Sequence, residues 1–256
     1  MTDASARAAP VLRTEGLVRR FGGLAAVDGV SIAVAMGEVH AVIGPNGAGK
    51  STLVNLLCGD LAPSAGRVLL ADADIGGLPP DRISRLGVGR SYQKTNVFAE
   101  FTVFENCRLA AQSRLASSMR FLRPAHRYAE VAELAREAIR AVGLEAREGS
   151  VVADLSHGER RQVEIAMVLA TRPRLLLLDE PLAGMGAEES RRITGLLKSL
   201  APRHAMLLVE HDMDAVFALA DTLTVMVNGK VLESGPPAQV RASRAVQEAY
   251  LGADSA

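Results

Sequence analysis

Residues 39–59 read VHAVIGPNGAGKSTLVNLLCG, and this stretch decides the fold. An apolar run with β-branched residues leads straight into a glycine-rich loop. Behind the loop, Leu53, Leu56 and Leu57 recur at helical spacing until Gly59 stops the pattern. Strand, glycine loop and helix in that order form the setting of a phosphate-binding loop, and G-x-x-x-x-G-K-S is met by Gly44, Gly49, Lys50 and Ser51, with Thr52 next. Through Pro45, Asn46, Gly47 and Ala48 the backbone N–H groups can converge on phosphate oxygens, and the following helix adds the positive end of its dipole. Lys50 can then reach the β- and γ-phosphates of a nucleotide such as ATP, and the Ser51 hydroxyl can ligate Mg²⁺.

Outward from this loop the chain reads as α/β. Residues 11–43 carry short β-like runs, with Gly37 and Glu38 as a turn. Leu175 to Leu178 form an uninterrupted apolar run, which fits a strand covered on both faces of a parallel sheet. AMLLVEHD repeats the theme, and Asn228-Gly229 predicts the type I′ turn of a hairpin over TLTVMVNGKVLESG. Residues 94–153 read instead as a helical insertion between core segments 11–93 and 154–252, with tails at 1–10 and 253–256. Within the insertion Val131, Leu134, Ala135, Ala138 and Val142 make one stripe and Gly143 caps it. Glu133 with Arg136, and Glu137 with Arg140, are spaced to pair on the other side.

Bulk properties exclude several classes. A chain of 256 residues buries about three-quarters of its unfolded surface and needs no staples. The balance of 29 Lys+Arg against 29 Asp+Glu offers no basic face for nucleic acid. Cys58 and Cys107 lie far apart and read as reduced thiols of a cytosolic protein. No apolar run approaches the roughly 18–20 residues of a membrane span, and MTDASARAAP lacks the apolar segment of a signal peptide.

Asp179 and Glu180 close the apolar strand at the edge where open α/β sheets bind ligands. Asp179 would hold Mg²⁺ there and Glu180 would orient or deprotonate an attacking water, although two carboxylates before Pro181 could also just cap a turn. His211 follows MLLVE in the same way, either as a structural side chain or as a γ-phosphate contact. Ser156 and Glu159 form a capping box ahead of a helix with Val163, Ala166, Met167 and Ala170 as its inner stripe. That box needs no ligand. Gly158 adds the prospect of an anion site, because it removes side-chain bulk where N–H groups point outward. Phe98, Phe101, Phe104 and Phe121 read as core or as a docking patch, with Glu100, Glu105 and Asn106 facing water. Arg114, Arg120, Arg123 and Arg127 read as a solvated face or one turned to anionic headgroups.

Together these residues resemble the ATP-binding subunits of ABC transporters from about Leu12 to Gly252. GPNGAGKST looks like that family's Walker A, LLLLDEP like its Walker B, and LSHGE like its signature, usually LSGGQ. The resemblance implies a P-loop core with a mostly parallel sheet, an antiparallel β subdomain and an inserted helical subdomain. It implies Glu180 as catalytic glutamate, His211 as switch histidine, and Gln93 of RSYQ as the Q-loop residue that senses Mg²⁺ and water. Phe21, 29 residues before Lys50, stands about where an aromatic stacks on adenine.

It also implies two ATP-binding subunits, identical or paralogous, facing head to tail, so that Ser156, Gly158 and Glu159 meet the γ-phosphate held by the opposite subunit. Two integral membrane permeases, and indirectly a solute-binding protein, would complete an importer at the cytoplasmic face of the inner membrane. His157 and Glu159 depart from the usual signature, and Gly186 stands where many members have Asp. RRFGGLAAVDGVS, the spacing of RSYQKTNVFAEFTVFEN and the terminal AYLG look like the branched-chain, or hydrophobic, amino-acid importer branch, to which importers of urea or short amides are similar. A soluble ABC-type ATPase of DNA repair or translation would carry coiled coils or tandem cassettes, and a small-substrate P-loop kinase would have no use for LSHGE.

Overall fold

The computed structural model describes residues 9–91, 96–114 and 129–251. Gln93, Phe121, Arg120, Arg123 and Arg127 lie outside the described residues. The N-terminal part is antiparallel: β1 (Pro10–Phe21) pairs with β2 (Leu24–Val30) on one edge, with β3 (Ala33–Ala35) beyond it, and with a later strand on the other edge. β4 (Val39–Ile43) is buried at every position and feeds α1 (Lys50–Cys58), which Gly59 ends in a left-handed conformation. β5 (Ala65–Leu70) returns to pair with β1 and carries the short β6 (Ala73–Asp74), completing a five-stranded sheet. After α2 (Pro80–Arg85) the chain enters β7 (Val88–Ser91).

The helical segment follows as α3 (Val103–Gln112), α4 (Ala129–Ala141) and α5 (His157–Ala170). β8 (Leu175–Asp179), α6 (Ala187–Leu200), β9 (Ala205–Val209), α7 (Met213–Leu219), β10 (Thr222–Val227), β11 (Lys230–Gly235), α8 (Pro237–Ala242) and α9 (Arg244–Leu251) complete the chain. Among the described residues the main sheet has the order β11-β10-β4-β9-β8-β7, with the β10–β11 hairpin antiparallel and the other pairs parallel. Asn228 (φ 49°) and Gly229 (φ 79°) give that hairpin the two positive φ values its turn requires. The apolar runs Leu175–Leu178 and Ala205–Val209 are buried throughout because each strand has a parallel neighbour on both sides and helices across its faces.

α3, α4 and α5 share one apolar cluster, in which Cys107, Leu134 and Ile139 meet Val163 and Ile165; Leu176 and Leu178 of β8 belong to it too. α5 therefore joins the helical segment to the main sheet, across the 153/154 division that sequence alone suggests. Its apolar stripe is wider than expected: Ile165 and Leu169 are buried along with Val163, Ala166 and Ala170, whereas Met167 is only partly covered.

Two surface expectations change. Arg140 bonds Glu133 two turns away at 2.7 Å, Arg136 reaches Glu148 and Arg172 takes Glu137, so the pairs spaced three apart do not form. Neighbouring segments offer these exposed side chains partners that helix spacing cannot reveal. Asn106 does not face water: it is fully buried, its amide donating to the Phe98 and Thr102 carbonyls at 3.0 Å and its oxygen accepting from the Phe98 N–H at 2.9 Å. It fixes the turn before α3, leaving Phe98 and Phe101 stacked and exposed, with Leu109 also exposed.

Candidate active site

Three adjacent strands end at one level. Ile43 of β4 lies beyond Val42, which pairs with Val209 of β9, and Val209 pairs with Asp179 of β8. The residues that follow, from Gly44, Glu210 and Glu180 onward, thus emerge side by side at the carboxyl edge of the sheet. That register is what gathers residues as far apart in sequence as Gly44 and His211.

The glycine loop is sterically specified. Gly44 has φ 154°, and a Cβ there would sit 2.1 Å from the Met226 carbonyl oxygen; Gly49 has φ 99°, with the Ala26 carbonyl 2.2 Å from a would-be Cβ. Only glycine lets the loop lie this close to β10 and β2. Lys50 folds back to donate to the Gly44 and Pro45 carbonyls at 2.7 and 3.0 Å. Burial lowers its pKa, while the charges of Glu180 and Asp179 oppose the shift, so the ammonium and both carboxylates share one electrostatic site. Asn46, Gly47 and Ala48 complete the loop, and Ser51 and Thr52 follow Lys50 in the first turn of α1.

Asp179 is buried, and burial pushes its carboxyl above the usual range against the opposing charge of Arg90, which lies 3.4 Å away. Arg90 also bonds Asp60 and Asn55 at 2.7 Å, tying β7 to the end of α1. Glu180 adopts φ 49°, unusual for a side chain with a Cβ and a mark of stored backbone strain. Its Oε1 lies 3.4 Å from Nδ1 of the exposed His211. The structure thus brings together Lys50, Asp179, Glu180 and His211. Phe21, at the tip of the β1–β2 hairpin, is exposed, with the Arg19 guanidinium 4.7 Å over one ring face.

A hard, oxygen-only donor set is what Mg²⁺ takes, and Ser51 and Asp179 are of that kind. Among the described residues no cluster of three or more His, Cys, Asp or Glu side chains could hold a metal. These residues suit an ion that brings phosphate oxygens and water as most of its ligands.

The second anion site differs from expectation. The capping box of α5 is complete: the Ser156 hydroxyl accepts from the Glu159 N–H at 3.2 Å and Glu159 accepts from the Ser156 N–H at 2.9 Å. These hydrogen bonds hold the Glu159 carboxyl below the usual range, and Arg147 adds to the effect. The position over Gly158, however, is filled by the Glu189 carboxylate of α6, which accepts the Gly158 N–H at 3.1 Å.

Sequence reasoning passed over three supporting residues. Arg90 is a cation inside a buried strand, a signal in itself. Arg161 is buried in α5 and donates to the Glu180 and Pro181 carbonyls at 3.0 Å, with Glu164 as its ion-pair partner. Glu210, next to His211, accepts from the Leu182 N–H at 2.8 Å and the His211 N–H at 3.2 Å, and burial raises its pKa.

Comparison with known proteins gives a consistent result. The family model for ABC transporters matches residues 27–183, and a model described as branched-chain amino acid ATP-binding cassette transporter matches residues 230–256. The chain is 38% identical over 250 residues to the high-affinity branched-chain amino acid transport ATP-binding protein LivG of Escherichia coli K12, covering 95% of this chain and 98% of the relative. It is 39% identical, with the same coverage, to BraF of Pseudomonas aeruginosa, which bears the same description. Among solved structures, the ADP conformation of an ATP-binding cassette of an ABC transporter superposes with a TM-score of 0.86 at 33% identity, covering 95% of this chain and 99% of that one.

Proposed function

The chain belongs to the ABC transporter family of ATP-binding proteins, and on that premise we propose that it is the ATP-hydrolysing subunit of an importer for branched-chain or other hydrophobic amino acids. The observation that carries the catalytic reading is the approach of Glu180 to His211 beside Lys50 at one sheet edge. The match of residues 230–256 and the names of the relatives support the substrate class.

Phosphoryl transfer to water needs positioning and charge stabilisation more than covalent chemistry. Phe21 would stack on adenine. The backbone of residues 44–49 cradles the phosphates, and Lys50 leaves the Gly44 and Pro45 carbonyls for the β- and γ-phosphates. Ser51, Asp179 and Gln93 would hold Mg²⁺, which when bound neutralises charge on the phosphates. Glu180 orients the attacking water and takes its proton, and His211 contacts the γ-phosphate. With the head-to-tail pairing that the family resemblance implies, Ser156, Gly158 and Glu159 would act on the nucleotide of a second ATP-binding subunit.

Closure of that pair would move two permease subunits, with a solute-binding protein acting on their far side. The exposed Phe98, Phe101 and Leu109 offer an apolar docking patch for a permease. No helix among the described residues is long and apolar enough to cross a membrane, which fits a peripheral subunit at the cytoplasmic face. A tagged Glu180→Gln chain tests the reading: it binds ATP, loses turnover, and co-purifies from membranes with multi-span permeases. Near-normal hydrolysis in that variant removes Glu180 as the base, and recovery with ribosomes or DNA overturns the transport role.

A further inference from the structure

The first N–H groups of a helix have no partner inside it, and the start of α5 satisfies its own in different ways. The Glu159 N–H uses the Ser156 hydroxyl, and the Arg160 N–H already reaches the Ser156 carbonyl at 2.9 Å. The Gly158 N–H turns outward and donates to Oε1 of Glu189, 31 residues further along the chain. A methyl group at Gly158 would lie 3.0 Å from that oxygen, so the carboxylate covers the glycine. Glu189 stands in the first turn of α6, directly after loop 181–186 that leads away from Glu180. The same loop meets α5 again where the His157 ring faces Gly184, 3.9 Å from a would-be Cβ.

Gly158 is also where the two-subunit reading puts the γ-phosphate of the opposite nucleotide. One outward N–H cannot serve a carboxylate and a phosphate together, and the two anions repel each other. We infer that Glu189 is a built-in occupant of this anion seat, a stand-in for phosphate that the nucleotide of the second subunit must displace as the dimer closes. The inference rests on that two-subunit reading.

Glu189 is suited to leave. It is only half-buried, and at the start of α6 its charge keeps the favourable end of its own helix dipole after it lets go of α5. Its departure has two consequences. The ATP concentration needed for closure is higher than the bare seat would demand. Closure also frees the start of α6 from α5, and with it the loop that begins at Glu180.

The test is ATP-dependent dimerisation of the Glu180→Gln chain, followed by sedimentation across a MgATP titration and repeated with Glu189→Ala or Glu189→Gln added. Glu189→Ala should lower the half-maximal ATP concentration by roughly 3- to 10-fold, the scale of one ordinary hydrogen bond, and Glu189→Gln, whose amide oxygen still accepts but carries no charge, should lower it by less. ATP affinity of the monomer should hold within about twofold, because that change lies outside the Lys50 loop. Glu189→Asp keeps the charge but falls short of Gly158, and should group with the Ala variant. An unchanged or raised ATP requirement for the Ala and Gln variants overturns the inference, as does an Asp variant that behaves like the parent. A Glu180→Gln parent that stays monomeric at millimolar ATP would instead remove the two-subunit reading itself, and the inference with it.

Discussion

Replacing Arg161 separates what holds the site from what holds the fold. Its buried guanidinium does two things: it pairs with the buried Glu164 and it grips the carbonyls of Glu180 and Pro181. Arg161→Met removes both and leaves Glu164 as an uncompensated buried charge, which costs about 3–5 kcal/mol. Adding Glu164→Gln discharges that carboxylate, so the double variant should regain about half of the lost stability. The carbonyl grip stays broken in both. Glu180 sits at a strained φ of 49° that persists only while its surroundings impose it. Once released, a carboxylate displaced by about 1 Å costs on the order of 100-fold in rate.

Arg161→Lys keeps the ion pair but lacks the planar fork, so it should melt close to the parent while losing about 10- to 100-fold in kcat. Urea unfolding curves and steady-state ATP hydrolysis, measured side by side with nucleotide affinity, give the answer. ATP affinity should hold within about threefold, since the Lys50 loop is built on other elements. If the double variant recovers kcat in step with stability, or if Arg161→Lys turns over normally, the grip on Glu180 is not what Arg161 contributes to catalysis.

Two further outcomes follow from the geometry. Gly44→Ala places a methyl 2.1 Å from the Met226 carbonyl at a backbone angle that side chains avoid, and should cost more than about 2 kcal/mol and abolish tight ATP binding, by melting and nucleotide titration. His204 is half-buried with its Nδ1 2.9 Å from the Pro173 carbonyl, and burial holds its pKa below the ordinary histidine value near 6.5. Below that value the unfolded chain binds a proton that the folded chain resists, so stability should fall as pH drops from about 6.5 toward the lowered folded value. His204→Gln should flatten that slope in urea unfolding at a series of pH values, and an unaltered slope would assign the effect to other groups.

The parts legible in sequence are those whose physics is local. The glycine loop, the Asp179-Glu180 strand end, the Asn228-Gly229 turn and the Ser156–Glu159 box each depend on residues within a few positions, and the structure contains each of them. What sequence missed depends on distant partners. Asn106 looked like a surface residue because polarity is visible in sequence, whereas the carbonyls that satisfy it belong to a turn defined only after folding. Glu133 chose Arg140 over the nearer Arg136 because Glu148, in a following segment, draws Arg136 away. The anion position at Gly158 was legible as a gap in side-chain bulk, but its occupant comes from another helix.

The arrangement around Glu180 explains why these distant contacts matter to function. Its N–H donates to the Val209 carbonyl at 2.9 Å, its carbonyl is held by Arg161 of α5, and Leu182, two residues on, donates to Glu210 beside His211. Neighbours on β9, on the residue directly after it and on α5 therefore fix a conformation that the residue alone would not adopt, and the strain persists because it is over-determined. One of those elements, α5, carries Gly158 at its tip and Arg161 one turn later. A force applied at the tip and the grip on Glu180 thus act through a single rigid turn of helix. The loop that leaves Glu180 is tied back to that tip by Glu189. Any anion that takes Gly158 from Glu189 loosens one end of this closed circuit while Arg161 and Glu210 keep hold of the other, so the contacts that link the tip of α5 to Glu180 run through side chains and one turn of helix.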